Sequence, residues 1–231
     1  GTGFFTQAVP DVMLTEIHRQ AADSPILRLA TMARHGQEIP FGAFDDQVWK
    51  MPRHAVCPAQ MLQGEQVICG THATRRHLNS AMKTAAGFTA DYPSGAGEKI
   101  ICLRNRHDLG LINGMFLTLS DVQGHPHNDR AFRANVQTDD GLFVPGVQEF
   151  WRGEFDDHVR FDPDRQRREA IACRRLIQSS WGYAITCHKA QGSQWSNVVV
   201  FDDGFGRTPD DRKRWLYTAI TRAEHGLLLL A

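Results

Sequence analysis

Residues 182–201, GYAITCHKAQGSQWSNVVVF, decide the fold of this 231-residue chain. A short apolar run leads into a polar turn that contains Gly192, and the valine run 198–200 follows the turn. Apolar runs of this kind are typical of buried strands. Residues 214–223, RWLYTAITRA, then predict a helix with one arginine, Arg222, at its far end. A strand, a turn, a strand and a helix predict an α/β domain whose turn presents backbone N–H groups to a ligand.

The composition is that of an ordinary globular protein, with 42% hydrophobic and 23% charged residues, and it suits one large or two small domains. Lysine plus arginine equals aspartate plus glutamate at 26 each, so any nucleic-acid contact must come from a local groove. The five cysteines lack C-x-x-C spacing, which argues against a disulfide framework or a metal site and favours a reducing, cytoplasmic setting. No signal peptide or membrane-length apolar run is present, so we expect no membrane contact.

The sequence contains no G-x-x-x-x-G-K-[ST] phosphate loop. It therefore lacks the N–H groups and the lysine that hold the β and γ phosphates of a nucleotide. The chain also begins with GTGFF rather than with methionine. We expect it to be a fragment, and an ATP-driven motor cannot be complete within it.

The chain alternates between strand and helix patterns, with one β-rich interruption. Val12 to Ile17 predicts a strand, and a helix follows with Ser24 as N-cap, Pro25 at its first position and Gly36 at its end. Residues 37–64 predict loops with short pieces of structure. The further predicted elements are a strand at 66–69, a helix at 74–86, short strands at 99–103, 115–122, 133–138 and 142–147, a helix or tether at 156–178, and a strand at 226–230.

Four segments together resemble the RecD-like branch of the superfamily 1 DNA helicases, the family of the exodeoxyribonuclease V alpha subunit. GTGFF at residues 1–5 is similar to the end of motif III and EIHRQ at 16–20 to motif IV. Residues 182–201 are similar to motif V and residues 214–223 to motif VI. The resemblance implies the C-terminal half of such a helicase.

The resemblance implies an α/β fold with a RecA-like (P-loop NTPase-like) parallel sheet and helices on both of its faces. This second motor domain would comprise residues 1–96 and 160–231, and residues 97–159 would form an inserted small SH3-like β-barrel. Intact relatives move 5′ to 3′ on single-stranded DNA and hydrolyse ATP with Mg²⁺. ATP and Mg²⁺ would be held mainly by an N-terminal RecA-like domain of the same protein, so this chain alone is predicted to be inactive. Partners in DNA repair, recombination or replication are further expectations.

The resemblance assigns nucleotide-contacting roles to five residues. Arg222 of motif VI and Arg19 of motif IV match arginines that reach the γ phosphate, where a guanidinium neutralises charge in phosphoryl transfer. Gly192 and Gln191 lie in the turn that approaches the phosphate. A glycine is needed there because it has no Cβ to hold the backbone away from the ligand. Gln194 occupies the ribose-contacting position, which is a glutamate in many relatives.

Four further residues are candidate DNA contacts. Thr186 and His188 match motif positions that touch single-stranded DNA, and a hydroxyl and an imidazole N–H suit phosphate oxygens. Thr71 and Arg75, in CGTHATRRHLN at 69–79, lie where a strand ends and a helix begins. Backbone N–H groups and basic side chains at such a position can hold a phosphate.

Two alternatives to a helicase motor remain open at this point. The chain could be a binding or scaffold module that keeps a helicase-like fold without a motor partner. Sequence preceding Gly1 would decide between the two, because a motor needs a phosphate loop and an Asp-Glu pair for magnesium. An independent nuclease fits poorly, because the sequence contains no tight carboxylate cluster with metal-ligand spacing.

Overall fold

The computed structural model describes residues 24–156 and 173–231. The predicted strand at 12–17, the predicted Arg19 site and most of the predicted segment 156–178 lie outside these residues. The strands are β1 (Gly42–Ala43), β2 (Val48–Met51), β3 (Gln66–Cys69), β4 (Lys99–Cys102), β5 (Phe116–Gly124), β6 (Ala131–Thr138), β7 (Phe143–Trp151), β8 (Ser179–Trp181), β9 (Ala184–Thr186), β10 (Trp195–Phe201) and β11 (Ala223–Leu230). The helices are α1 (Pro25–His35), α2 (Pro58–Met61), α3 (His72–Ala85), α4 (Gly153–Asp156) and α5 (Pro209–Ile220).

A six-stranded sheet in the order β1-β2-β11-β10-β3-β9 carries the predicted motif segments. All neighbours from β2 to β9 pair in parallel, and β1 is joined to β2 as an antiparallel edge hairpin. Parallel strands need crossover connections, and helices α3 and α5 supply two of them. The predicted parallel α/β sheet is confirmed.

The valine run of β10 shows why this sheet is buried on both faces. Val198 and Val200 pack in one core with α1 and α5, whereas Val199 packs in a second core with α3. Side chains alternate between the faces of a strand, so a continuous apolar run fits only where both faces are covered. The helices thus lie on both faces, as predicted.

Helix α1 begins and ends where the sequence predicts. Pro25 occupies its first turn, and Gly36 ends it in the left-handed conformation with φ of 71°. Its buried side chains are those of the predicted apolar face, namely Ile26, Leu29, Ala30 and Ala33. None of the helices in the described ranges is long and apolar enough to cross a membrane.

A second sheet, entirely antiparallel, has the order β7-β6-β5-β4-β8. The backbone N–H of Ile177 donates to Glu149 O at 2.8 Å, and Trp151 N–H donates to Ile177 O at 2.9 Å. The segment that continues into β8 therefore touches β7 as well as β4, so it joins the two edges of the sheet. The four strands predicted for residues 97–159 are confirmed, while their assignment as an SH3-like barrel stays a prediction.

Two short strands differ from the sequence expectations. β8 pairs with β4 although it lies beyond residue 159, where the predicted insert ends. Residues 37–64, predicted as loops with short pieces of structure, contain β2, whose pairing with β11 in the parallel sheet was not predicted. Each strand has only three or four residues, which is too few to show a period of two. Long-range pairing therefore places both of them.

Candidate functional site

The candidate site lies at the carboxyl ends of three neighbouring parallel strands. Cys69 of β3 stands opposite Thr186 of β9, and β10 pairs with β3 on the other side. The segments that follow these strands therefore emerge at one edge of the sheet. Ligands of open α/β sheets bind outside this edge.

The 187–194 turn follows β9 and carries most of the predicted nucleotide-contacting residues. Thr186 O accepts backbone hydrogen bonds from Lys189 at 2.9 Å and Ala190 at 3.1 Å, which winds the chain into a helical turn. Gly192 has φ of +88°, and a Cβ added there would meet nothing within 4 Å. The N–H of Gly192 has no hydrogen-bond acceptor within the described residues. The turn thus presents an exposed backbone donor.

Arg222 follows the end of α5 and is tied to this turn. Its Nη1 donates to Ser193 O at 3.1 Å, and its Nε donates to Thr218 O at 3.1 Å. The Trp195 N–H donates to Arg222 O at 3.0 Å, which adds a backbone link. No carboxylate within residues 24–156 and 173–231 pairs with the guanidinium, so no described residue neutralises its positive charge. The structure brings Arg222 to the turn that carries Gln191, Gly192 and Gln194.

The β3 end differs, because a carboxylate from the same chain occupies it. Asp203 Oδ2 accepts a hydrogen bond from Thr71 N–H at 2.8 Å, and Asp203 Oδ1 accepts one from Gly70 N–H at 3.2 Å. The Thr71 hydroxyl caps α3 by accepting from Thr74 N–H at 3.1 Å. Two of the backbone donors predicted to hold a phosphate therefore already hold an internal anion.

The Asp203 carboxylate is stabilised in its ionised form. Burial opposes ionisation, but hydrogen bonds from Thr74 and Thr71 outweigh it and lower the pKa of Asp203 below its ordinary value. At neutral pH the ionised Asp203 carboxylate thus offsets the partial positive charge at the N-terminus of α3.

Two of the predicted DNA contacts point to the interior instead of the sheet edge. Arg75 Nη1 lies 3.4 Å from Ser180 Oγ of β8, and its Nε is buried without a partner in the described residues. Burial lowers the pKa of Arg75. Thr186 is 8% exposed. In this structure Arg75 joins α3 to the second sheet, and Thr186 contributes the carbonyl that starts the turn.

A cleft of about 730 Å³ lies beside the turn. The predicted residues His188, Gln191 and Thr71 line it, together with residues 203–207, which follow β10, and Arg214 of α5. The His188 and Phe205 rings meet edge to face, with centroids 5.8 Å apart. Cys187 also lines the cleft, and burial raises the pKa of its thiol to about 11, so this thiol is neutral near pH 7.

Sequence reasoning missed Asp203, Phe205, Arg207 and Arg214. The segment DDGFGR at 202–207 directly follows the buried strand β10, and its two glycines indicate a sharp loop. That position after a parallel strand was the available signal.

The second sheet also touches the 187–194 turn. Lys189 Nζ donates to Asn113 Oδ1, in the loop between β4 and β5. Burial lowers the pKa of Lys189. The turn is therefore supported from both sheets.

The chain is an α/β domain whose parallel sheet is covered by helices and carries an exposed glycine turn and an arginine at its carboxyl edge, which is where ligands of open α/β sheets bind. Residues 182–230 match the family described as the UvrD-like helicase C-terminal domain. Both segments quoted at the outset fall within this match. The predicted resemblance to superfamily 1 helicases is thereby confirmed.

A relative and two solved structures extend this result. The ATP-dependent RecD2 DNA helicase of Deinococcus radiodurans is 23% identical over an alignment of 235 residues. The alignment covers 94% of this chain and 28% of that protein. The Pif1 helicase of Bacteroides, solved with ADP-AlF3 and ssDNA, has a TM-score of 0.55 at 13% identity and covers 95% of this chain and 52% of its own. For Pif1 helicase of Candida albicans the TM-score is 0.51 at 17% identity, with coverages of 93% and 55%.

The chain thus spans about a quarter of the length of the curated relative and about half of the solved chains. At such identities the solved structures show a shared fold.

Proposed function

We propose that this chain is the C-terminal motor domain of an ATP-dependent DNA helicase that moves 5′ to 3′. In this proposal the chain supplies one wall of the ATP cleft, and an N-terminal RecA-like domain of the same protein supplies the other. The chain by itself does not hydrolyse ATP. The observation that carries the proposal is the contact of the unneutralised Arg222 guanidinium with the turn that holds Gly192.

The residues at the turn fit a triphosphate. Gly192 offers a free N–H at a φ that glycine adopts without strain, and the space beside it is open. Arg222 lies one hydrogen bond from the same turn. Three of its five guanidinium N–H groups bind Ser193 O, Thr218 O and Thr221 Oγ1, and the other two are suited to phosphate oxygens. Gln194 is exposed and can accept a bond from a ribose hydroxyl. Mg²⁺ bound with ATP would neutralise phosphate charge.

Arg222 acts in the proposal as an arginine finger that stabilises the charge developing during phosphoryl transfer. Arg19 has the same proposed role, although it lies outside the described residues. His188 contacts single-stranded DNA across the cleft, with Thr71 beside it. Thr186 and Arg75 support these contacts from within the fold.

Substitution of Arg222 by alanine in the full-length protein tests the proposal. We expect ATP turnover to fall by about 10³-fold or more while nucleotide affinity stays largely intact. Steady-state hydrolysis and fluorescent-nucleotide titration would measure the two quantities. The side chain of the exposed Arg28 on α1 makes no hydrogen bond or ion pair within residues 24–156 and 173–231 and lies outside the cleft lining, so Arg28→Ala is the matched control.

Two results would contradict the proposal. One is near wild-type hydrolysis by Arg222→Ala with its melting temperature unchanged. The other is ATP turnover, stimulated by single-stranded DNA, from the 231-residue chain alone.

A further inference from the structure

We infer that residues 202–207, here named the 202–207 loop, together with Arg214 form a second wall of the strand-binding cleft. In this wall Phe205 stacks on a nucleobase, and Arg207 and Arg214 bind backbone phosphates of single-stranded DNA. The inference rests on the proposed function, because it extends the strand site that contains His188. It assigns roles to three residues that the motif resemblance does not include.

The first observation is that the Phe205 ring is held in place before any ligand binds. Its ring lies 5.8 Å from His188 and 6.2 Å from Trp215, centroid to centroid. A Cβ on Gly70 would overlap the Phe205 Cβ, so the loop packs directly on the end of β3. A ring fixed in this way loses little conformational entropy when a base stacks on it.

The second observation is that the loop is anchored at its start, through its two carboxylates. Asp203 accepts from the backbone N–H groups of Gly70 and Thr71, as described above. Asp202 pairs with Arg212 and also accepts from Gly204 N–H at 3.0 Å. Both loop carboxylates are therefore bound to partners inside the fold.

The third observation is positive charge without a partner. Arg207 and Arg214 are exposed and line the cleft, and their side chains make no hydrogen bond or ion pair within residues 24–156 and 173–231. Asp211 also lines the cleft, but its carboxylate accepts from Thr208 N–H at 3.2 Å as part of the cap of α5. The cleft of a chain with zero net charge thus carries two unpaired guanidinium groups beside two aromatic rings. Cations and aromatic faces are what single-stranded nucleic acid needs.

The cleft volume of about 730 Å³ falls in the range typical of ligand sites. Stacking and phosphate contacts are tolerant of base identity. We therefore expect binding of single strands with little sequence preference and with a strong dependence on salt.

Anisotropy titrations of a labelled oligo-dT with the full-length protein, at several salt concentrations, test the inference. Phe205→Leu keeps an apolar side chain but removes the stacking face, and we expect roughly 5- to 150-fold weaker binding. Arg207→Gln and Arg214→Gln should each reduce the slope of log affinity against log salt by about 0.7. Matched controls are Phe143→Leu, an exposed phenylalanine on β7, and Arg28→Gln; neither should change the affinity or the slope.

The outcomes separate this inference from the proposed function. If His188→Ala weakens binding while the Phe205 and arginine variants bind within twofold of wild type with unchanged slopes, the second wall is wrong and the strand site stands. If His188→Ala also binds normally, the proposed strand site fails as well. Equal losses for Phe205→Leu and Phe143→Leu would also overturn the inference. Melting temperatures of all variants identify any loss caused by unfolding.

Discussion

Two glycine-containing strand ends lie at the same edge of the parallel sheet, and they differ in what their backbone donors bind. After β3, the N–H groups of Gly70 and Thr71 hold the Asp203 carboxylate. After β9, the N–H of Gly192 has no acceptor among the described residues. A strand followed by glycine and a helical turn predicts an anion site in both places. The fold fills one site with its own anion, whereas the donor at the other has no partner among the described residues.

This difference gives the ends of β3 and β9 different structural roles. The filled end fixes the 202–207 loop against β3 and α3, which gives the cleft a rigid wall. The open end has no internal anion within residues 24–156 and 173–231. The same substitution, glycine to alanine, should therefore affect folding at one end and ligand binding at the other.

Gly70→Ala should have the largest effect on stability. Its Cβ would overlap Phe205 Cβ and Asp203 Oδ1, so the loop must move and its hydrogen bonds must stretch. We expect the free energy of unfolding to fall by about 3 kcal/mol, at the upper end of overpacking costs. Urea denaturation measures this value. A loss below about 0.5 kcal/mol would show that the loop is not packed as described.

Asp203→Ala should have the next largest effect, because it removes two hydrogen bonds between a carboxylate and backbone N–H groups. We expect a loss of about 2 kcal/mol in the free energy of unfolding. The vacated donors should also bind an external anion. Millimolar phosphate should therefore raise the melting temperature of this variant more than that of the wild type. An equal rise in both proteins would contradict the claim that Asp203 occupies the backbone donors at the end of β3.

The Asp203→Asn variant tests whether the Asp203 carboxylate is ionised in the folded protein, through the pH dependence of the free energy of unfolding. The folded-state pKa of Asp203 is lowered, so the stability it contributes is present above its unfolded pKa of about 3.9. This contribution is lost as the pH falls from there through the folded pKa. The free energy of unfolding of the wild type should thus fall more steeply below about pH 4 than that of the variant. Parallel curves for the two proteins would argue against an ionised Asp203.

Gly192→Ala should have the smallest effect on folding. The left-handed φ of +88° costs an L residue about 1 kcal/mol, and no neighbour is displaced. Gly87→Ala is a matched control, since Gly87 has φ of +93° and equally open space at the far end of α3. Both variants should lose similar stability, but only Gly192→Ala should impair ATP turnover of the full-length protein. Impaired turnover in both would indicate that strain alone is responsible.

The predictability of the site also differs between its two ends. The Gly192 turn and Arg222 lie in segments whose order and residue types indicate a ligand site, and the structure joins them through Ser193. Phe205 and Arg207 were missed because a phenylalanine and an arginine in a loop have many other roles. Thr71 and Arg75 carry the right chemistry for phosphate. Their donors nevertheless face partners 105 or more residues away in the chain, which no local pattern reveals.

The sequence by itself determined strands β3 and β10, helix α1 and the glycine turn, because their apolar runs and backbone requirements are local properties. It also indicated the helicase resemblance through short motifs of residues 182–223. The tertiary structure alone decided that β2 and β8 are strands, that Asp203 occupies the start of α3, and that Phe205 faces His188. Each of these depends on contacts between distant segments, whose partners are chosen by packing and by the pairing of buried polar groups.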